Sequence, residues 1–427
     1  MSQRYTPRLK AGFAALLMLS AGSAAAATQI NALFMTQAAY SENDIRAMTQ
    51  NFQKAHPDVS VNLEFVPYEA LHDKIVAARG AGGNGYDVVL FDAIWPAEFS
   101  RFDLLQDVSS RITPDEKEKV FPGAMNTVVF KGKTLGMPWI LDTKYLYYNK
   151  AMLAKAGITT LPETWQQVLD DAKIIKEKKI VTYPLVWSWS QAEALVCDYT
   201  TLVSGFGGQF YQNGKLSFSS QFYQNGKLSF SSPASLKALA LMKSSLDQGL
   251  SNPASREYLE EDVRKSFSNG DAAFALNWTY MYNMANDPKQ SKVAGEVGIM
   301  PAPGDAPGKV GAVNGSMGLG ITKGSSHADE AWQYIRYMTS QPVQNQYAKL
   351  SLPIWKSSYQ DEAVKKGQES LIAAADKSLN VMLSRPETAD YSRLSNQLQQ
   401  QLQQVLLGKT SAQDAMATVD KSAARLR

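Results

Sequence analysis

The chain has 427 residues, 44% hydrophobic and 19% charged, with one cysteine, three histidines and a formal charge of +3. The length predicts about two to three domains, the composition excludes a disordered chain, and one cysteine excludes an intrachain disulfide framework. His56, His72 and His327 form no close-spaced pair, so no metal centre or other cofactor is expected, and so small a charge gives no field for nucleic acid.

That charge is concentrated at the start. Arg4, Arg8 and Lys10 precede an apolar run from Ala11 to Ala21, and residues 1–27 contain no acid. Small residues follow, Ala21-Gly22-Ser23-Ala24-Ala25-Ala26-Ala27. A basic start, a short apolar stretch and an Ala-x-Ala site predict a cleavable secretory signal peptide ending near Ala27. The apolar run is too short for a permanent span, which needs about 20 residues. Cleavage would leave 40 basic and 40 acidic residues. No cysteine lies near the cleavage site, so no lipid anchor is expected. No later segment has about 18 uninterrupted apolar residues, so a soluble, exported chain is expected. Cys197, in the apolar stretch Ala192–Val203, reads as a buried, inert thiol.

Ile30 to Phe34 alternates like a first strand. Asn43 or Ser41 can cap a helix running to about His56, with Ile45, Met48 and Phe52 inward. Val59, Val61, Leu63 and Phe65 alternate as a second strand. Tyr68 to Arg79 reads as a helix with Leu71, Ile75 and Val76 on one side. Gly80 to Gly85 is a loop without the spacing of a phosphate cradle. Tyr86 to Phe91 is nearly continuous in apolar residues, as in a fully buried parallel strand. This β-α-β-α-β order predicts an α/β fold. Later helices are expected at Trp165–Lys179, with Trp165 inward, and at Ala331–Thr339, with Trp332, Ile335 and Met338 inward. Leu394, Leu398, Leu402 and Leu406 mark one more helix stripe.

Residues 209–220 are repeated without change as 221–232. Each copy carries an Asn-Gly turn signal suited to a surface hairpin. One tandem identity of this length is far from a solenoid, and a duplication is the favoured reading over an added recognition loop.

Several segments together resemble the extracellular solute-binding proteins of carbohydrate ABC transporters, the broad family that includes maltose-binding protein. Phe52-Gln53-Lys54-Ala55-His56-Pro57-Asp58-Val59 looks like the family's first helix-to-strand turn. Gly85-Tyr86-Asp87-Val88-Val89 looks like its P-D-V-V strand, and Lys131-Gly132-Lys133-Thr134-Leu135-Gly136-Met137-Pro138 its G-K-x-Y-G-x-P stretch. Tyr145-Leu146-Tyr147-Tyr148-Asn149-Lys150 is the most recognisable run. Phe267 to Phe274 resembles F-x-x-G-x-A-A-M, with Phe274 where Met is usual. The matches are in order and cover nearly all of the chain after residue 27. The duplicated segment has no second place in the pattern.

The resemblance implies a type II-like periplasmic binding protein fold. Its two α/β lobes would be discontinuous in sequence, joined by a hinge, with a ligand cleft between them. Lobe 1 would comprise 28–142 and 314–360, and lobe 2 143–313 and 361–427. It further implies a monomer that binds a mono- or oligosaccharide in the periplasm and docks on membrane permease subunits.

Sugars present flat C–H faces and hydroxyl edges. Aromatic rings suit the faces, and charge-assisted hydrogen bonds read the edges. Asp92 and Trp95 follow the buried strand at its carboxyl end, where open α/β sheets bind ligands. Asp142 stands where the family carries a cleft carboxylate, seven residues before Asn149. Trp187, Trp189, Gln191 and Glu193 follow an expected strand at 181–186, and Trp278 follows one at 273–276. Asn314 and Ser316 fall in a Gly-rich crossing segment. Arg385 and Tyr391 fall in the C-terminal region of further cleft residues, and Tyr40 and Glu42 near the first strand's exit. Glu193 could instead cap a helix, and Arg385 could lie on a surface loop. Trp165 and Trp332 read as core.

The rival class is a secreted carbohydrate-active enzyme, a glycosidase or lyase. It would need two positioned carboxylates, which Asp92, Asp142 and Glu193 could supply. No G-x-S-x-G, H-E-x-x-H or other hydrolytic signature occurs, so a binding protein is the expected reading.

Overall fold

The computed structural model describes Met1 and residues 27–80, 85–212 and 227–426. The expected signal peptide therefore lies almost entirely outside the described residues, as do most of the Gly80–Gly85 loop and the middle of the repeat. In chain order, the sheet strands are β1 (Thr28–Met35), β2 (Val59–Val66), β3 (Val88–Asp92), β4 (Met137–Ile140), β5 (Tyr145–Asn149), β6 (Leu185–Val186), β7 (Phe274–Asn277), β8 (Val297–Pro303), β9 (Val310–Gly311) and β10 (Met317–Ile321). The helices used below are α1 (Glu42–Ala55), α2 (Tyr68–Gly80), α3 (Trp165–Glu177), α4 (Glu193–Gly205), α5 (Glu260–Asn269), α6 (Ala328–Met338), α7 (Glu369–Ser378) and α8 (Tyr391–Leu406).

Among the described residues, two five-stranded sheets organise the chain, in the orders β2-β1-β3-β10-β4 and β6-β7-β5-β8-β9. In the first, β1 runs parallel to β2 and β3, and β10 is antiparallel to β3 and β4. β3 is buried along its whole length, as its unbroken apolar run demands. In the second sheet, β7 pairs parallel with β6 and antiparallel with β5, and β8 is antiparallel to β5 and β9.

Local chemistry sets the helix starts. Ser41 caps α1 in a capping box: its hydroxyl accepts from the Asp44 amide and the Asp44 carboxylate accepts from the Ser41 amide. Thr164 and Gln167 do the same for α3. Ile45, Met48 and Phe52 are buried on α1, and the four leucines of α8 form one buried stripe in the core packed on the second sheet. Truncating one of those leucines to Ala would cost roughly 2–5 kcal/mol.

Two outward turns depart from the expected pattern. Val76 is exposed on α2. Trp332 is half-buried on α6, with Arg111 and Arg336 each 6.0 Å from its ring, while Ala331, Tyr334, Ile335 and Met338 face the core. The expected strand at 181–186 shortens to Leu185–Val186. In the repeat, the first copy pairs with the second: Tyr211 lies antiparallel to Leu228, and Gln212 to Lys227. Both Asn-Gly turn signals fall outside the described residues.

The chain passes from the first sheet to the second between Ile140 and Tyr145, and returns between Gly311 and Met317. A third segment runs beside the return. Leu383 forms a parallel bridge with Val313, accepting from the Asn314 amide and donating its own amide to the Ala312 carbonyl. These three passages bring residues from distant parts of the sequence to the junction of the lobes.

Candidate functional site

The carboxyl end of β3 places Asp92 at the edge of the first sheet, facing the second lobe. Its Oδ1 is 2.7 Å from a guanidinium nitrogen of Arg385, and its Oδ2 accepts a hydrogen bond of 2.8 Å from the Tyr68 hydroxyl. Tyr68 opens α2, directly after β2.

From the other lobe, Glu193 stands at the first position of α4, where the helix dipole favours a carboxylate. Its Oε1 lies 2.8 Å from the other terminal nitrogen of Arg385 and also accepts from the Tyr391 hydroxyl. Its Oε2 accepts from the Ser395 hydroxyl, one helical turn past Tyr391 on α8. Arg385 also donates to the Asn314 carbonyl at 3.3 Å. Its side chain is 1% exposed, against 7% for Asp92 and 13% for Glu193. Burial opposes the guanidinium charge, but the charges of Asp92 and Glu193 help to hold it well above its ordinary range. One cation thus spans both lobes through two charge-assisted pairs.

A second group lies at the first crossing. Asp142 Oδ1 accepts from the amides of Thr279 and Thr143 and from the Thr279 hydroxyl. Burial pushes the Asp142 carboxyl up to about 7 despite those bonds. Trp278, next to Thr279, donates its indole N–H to Glu260 Oε1 at 3.1 Å. Gly315 passes so close to this ring that a Cβ there would lie 2.3 Å from one of its carbons. That contact requires glycine.

The remaining expected ligand contacts are placed elsewhere. Tyr40 is buried in the first lobe with its ring 4.7 Å from that of Trp139. Glu42 is half-buried and lies 3.7 Å from Arg46 on its own helix. Trp95 is buried behind Tyr68, stacked on it at 5.9 Å and also against His72 and Phe99. Trp189 is buried in the core packed on the second sheet, stacked at 4.8 Å on Trp187, which in turn meets Trp165. Gln191 is exposed. Asn314 is buried, and its side chain donates to the Gly123 carbonyl and the Thr127 hydroxyl. Cys197 is buried, and that burial pushes its thiol up.

The sequence reading missed Tyr68, Ser395, Glu260 and Lys144. Tyr68 follows the carboxyl end of a strand adjacent to β1, the same signal that nominated Asp92. Ser395 is four residues past Tyr391, hence on the same helix face. Glu260 and Lys144 gave no comparable signal.

A cavity of about 1490 Å³ also lies between the lobes, lined by residues that include Gly123, Leu161, Gly205, Pro303 and Met382. Of the expected ligand contacts it reaches only Asn314, and none of its lining residues is aromatic. It borders the last residue of α4, whereas Glu193 is the first, about 18 Å away along the helix axis. The cavity reaches the Arg385 cluster at Asn314, Ser384 and Glu387 and extends from there away from Glu193.

Two lobes meeting through polar groups from three chain passages define a two-lobed binding protein of the periplasmic type. The chain belongs to the bacterial extracellular solute-binding protein family, whose model matches residues 36–345. It is similar in structure to maltose-bound MalE3 of T. maritima, with a TM-score of 0.84, 28% identity, and coverage of 93% of this chain and 99% of that one. A binding protein of Brucella abortus is 25% identical over 77% of this chain and 76% of its own length. The multiple sugar-binding protein of Streptococcus mutans is 22% identical over 71% of this chain and 69% of its own.

Proposed function

We propose that this chain is the substrate-binding component of a carbohydrate ABC importer. It takes a mono- or oligosaccharide, or a polyol, between its lobes and hands it to membrane permease subunits. The observation that carries this reading is the convergence of Asp92 from one lobe and Glu193 from the other on Arg385. Together with Tyr68, Tyr391 and Ser395, these groups offer donors and acceptors of the kind that sugar hydroxyls require. Family membership and the likeness to a maltose-bound protein support it. The aromatic-free cavity behind Asn314 lacks rings for sugar faces, so the sugar is assigned to the side of Asp92, Asp142, Glu193, Trp278, Arg385 and Tyr391.

In this reading the lobes are residues 28–142 with 314–360 and residues 143–313 with 361–427. The Arg385 cluster is nearly sealed from solvent, so a sugar enters only when the lobes part by a hinge motion at the crossing segments. The protein works as a monomer in the periplasm, exported by its N-terminal signal, and binds without turnover.

A thermal-shift screen followed by isothermal titration tests it, with a panel of maltose, diacetylchitobiose, tagatose and ribitol. A ligand that binds only the folded protein raises its melting temperature. One-to-one binding with no product in the cell is expected. Turnover of a glycoside, lost in Asp142→Asn or Glu193→Gln, would overturn it in favour of an enzyme.

A further inference from the structure

Two residues beyond Asp142, the same crossing segment sends Lys144 into lobe 2, where its side chain is fully buried. The ammonium donates to Asp198 Oδ1 at 2.5 Å and to Ser188 Oγ at 2.9 Å. It lies 3.4 Å from Glu260 Oε1 and 5.0 Å from the centre of the Trp278 ring. The same Glu260 oxygen accepts the Trp278 indole N–H. Asp198 Oδ2 accepts from the Ser188 amide at 3.2 Å, and Asp198 lies on α4, a little over one turn past Glu193. Burial works against the ammonium charge, but Asp198 and Glu260 outweigh it and push the Lys144 pKa up to about 12.

One cation therefore links three elements beside the junction: α4 through Asp198, α5 through Glu260 and the end of β7 through Trp278. It meets the face of the Trp278 indole directly and holds the indole N–H through Glu260. It also fixes α4, the helix that presents Glu193, through Asp198. On the opposite lobe's side, Gly315 allows the crossing backbone to press against the same ring. A buried ammonium is costly unless paired, and well-packed apolar residues can replace such a network with little loss of stability. A purely structural account leaves unexplained why the charge sits against the one half-buried indole of the site.

We propose that Lys144 is a positioning residue of the ligand site, which fixes the Trp278 ring and the start of α4 in the orientation that a sugar meets. Lys144 itself touches no sugar, because its ammonium is enclosed by Asp198, Ser188 and Glu260 of its own lobe. The inference rests on the sugar-binding reading above.

The test is a double-mutant cycle between Lys144→Met and Trp278→Ala, read by titration with whichever of maltose, diacetylchitobiose, tagatose or ribitol binds the wild type most tightly. Lys144→Met alone is expected to weaken binding about tenfold, and by less than about twofold once Trp278 is already Ala. A merely structural lysine would not produce that coupling. If Lys144→Met does not fold, the pair Lys144→Met/Asp198→Asn removes both charges and enters the same cycle. Independent effects that multiply in the double variant, with wild-type binding intact, overturn the proposal. A wild type that binds no sugar of the panel overturns the sugar-binding reading instead.

Discussion

Asp92 and Arg385 lie 293 residues apart in the sequence and 2.7 Å apart in the fold. The pair is almost fully buried, and its guanidinium also holds Glu193 of the other lobe. A buried charge without a partner is strongly destabilising, so the three groups must be kept or lost together.

Arg385→Met leaves two carboxylates facing one another across the lobe junction. Affinity for the bound sugar is expected to fall by roughly 2–5 kcal/mol. The ligand-free radius of gyration in small-angle X-ray scattering is expected to rise as the lobes separate. Equal scattering curves for variant and wild type would show that Arg385 does not hold the lobes together.

Asp142 gives a pH signature. Its folded pKa, about 7, stands above its ordinary value of 3.8, so the folded state binds this proton more tightly than the unfolded state. The resulting stability is fully present below the ordinary value and is lost as pH rises towards about 7. Asp142→Asn keeps the oxygen that accepts from Thr143 and Thr279 and cannot ionise. The stability difference in favour of the Asn variant is expected to grow from pH 5 to pH 8 in denaturant titrations. A difference that stays constant with pH would contradict the raised pKa.

Trp278→Ala removes the ring that Lys144 and Glu260 orient. Binding is expected to weaken by roughly 1–3 kcal/mol through lost apolar area and stacking. Unchanged affinity would place Trp278 outside the sugar's reach.

Deleting residues 221–232 leaves a single copy of the repeat. Phe230 and Ser231 both donate to the Asp420 carboxylate, and the remaining copy supplies the same residue types at the same distance from the helix that follows. Loop length changes the closure entropy only slowly, on the order of 1 kcal/mol. Sugar affinity is expected to stay the same. A shift in affinity or in sugar preference would make the longer segment functional.

The amino-acid order alone determined the local architecture. The nearly continuous apolar run at 86–91 read as a buried strand, Asn43 or Ser41 could cap a helix (the structure uses Ser41), and the leucine stripe of α8 read as packing on the body. The carboxyl end of that buried strand also pointed to Asp92. These features depend on interactions within a few residues, which periodicity records. Tertiary structure decided the rest. Tyr40, Trp95 and Trp189 are the residue types that a sugar site uses, yet packing buries all three, Tyr40 against Trp139, Trp95 against Tyr68 and Trp189 against Trp187. Lys144 carried no local mark because it acts through partners on other chain passages. Burial and pairing depend on which surfaces meet when the lobes pack, so a 2.7 Å contact between residues 92 and 385 exists only once the whole chain has folded.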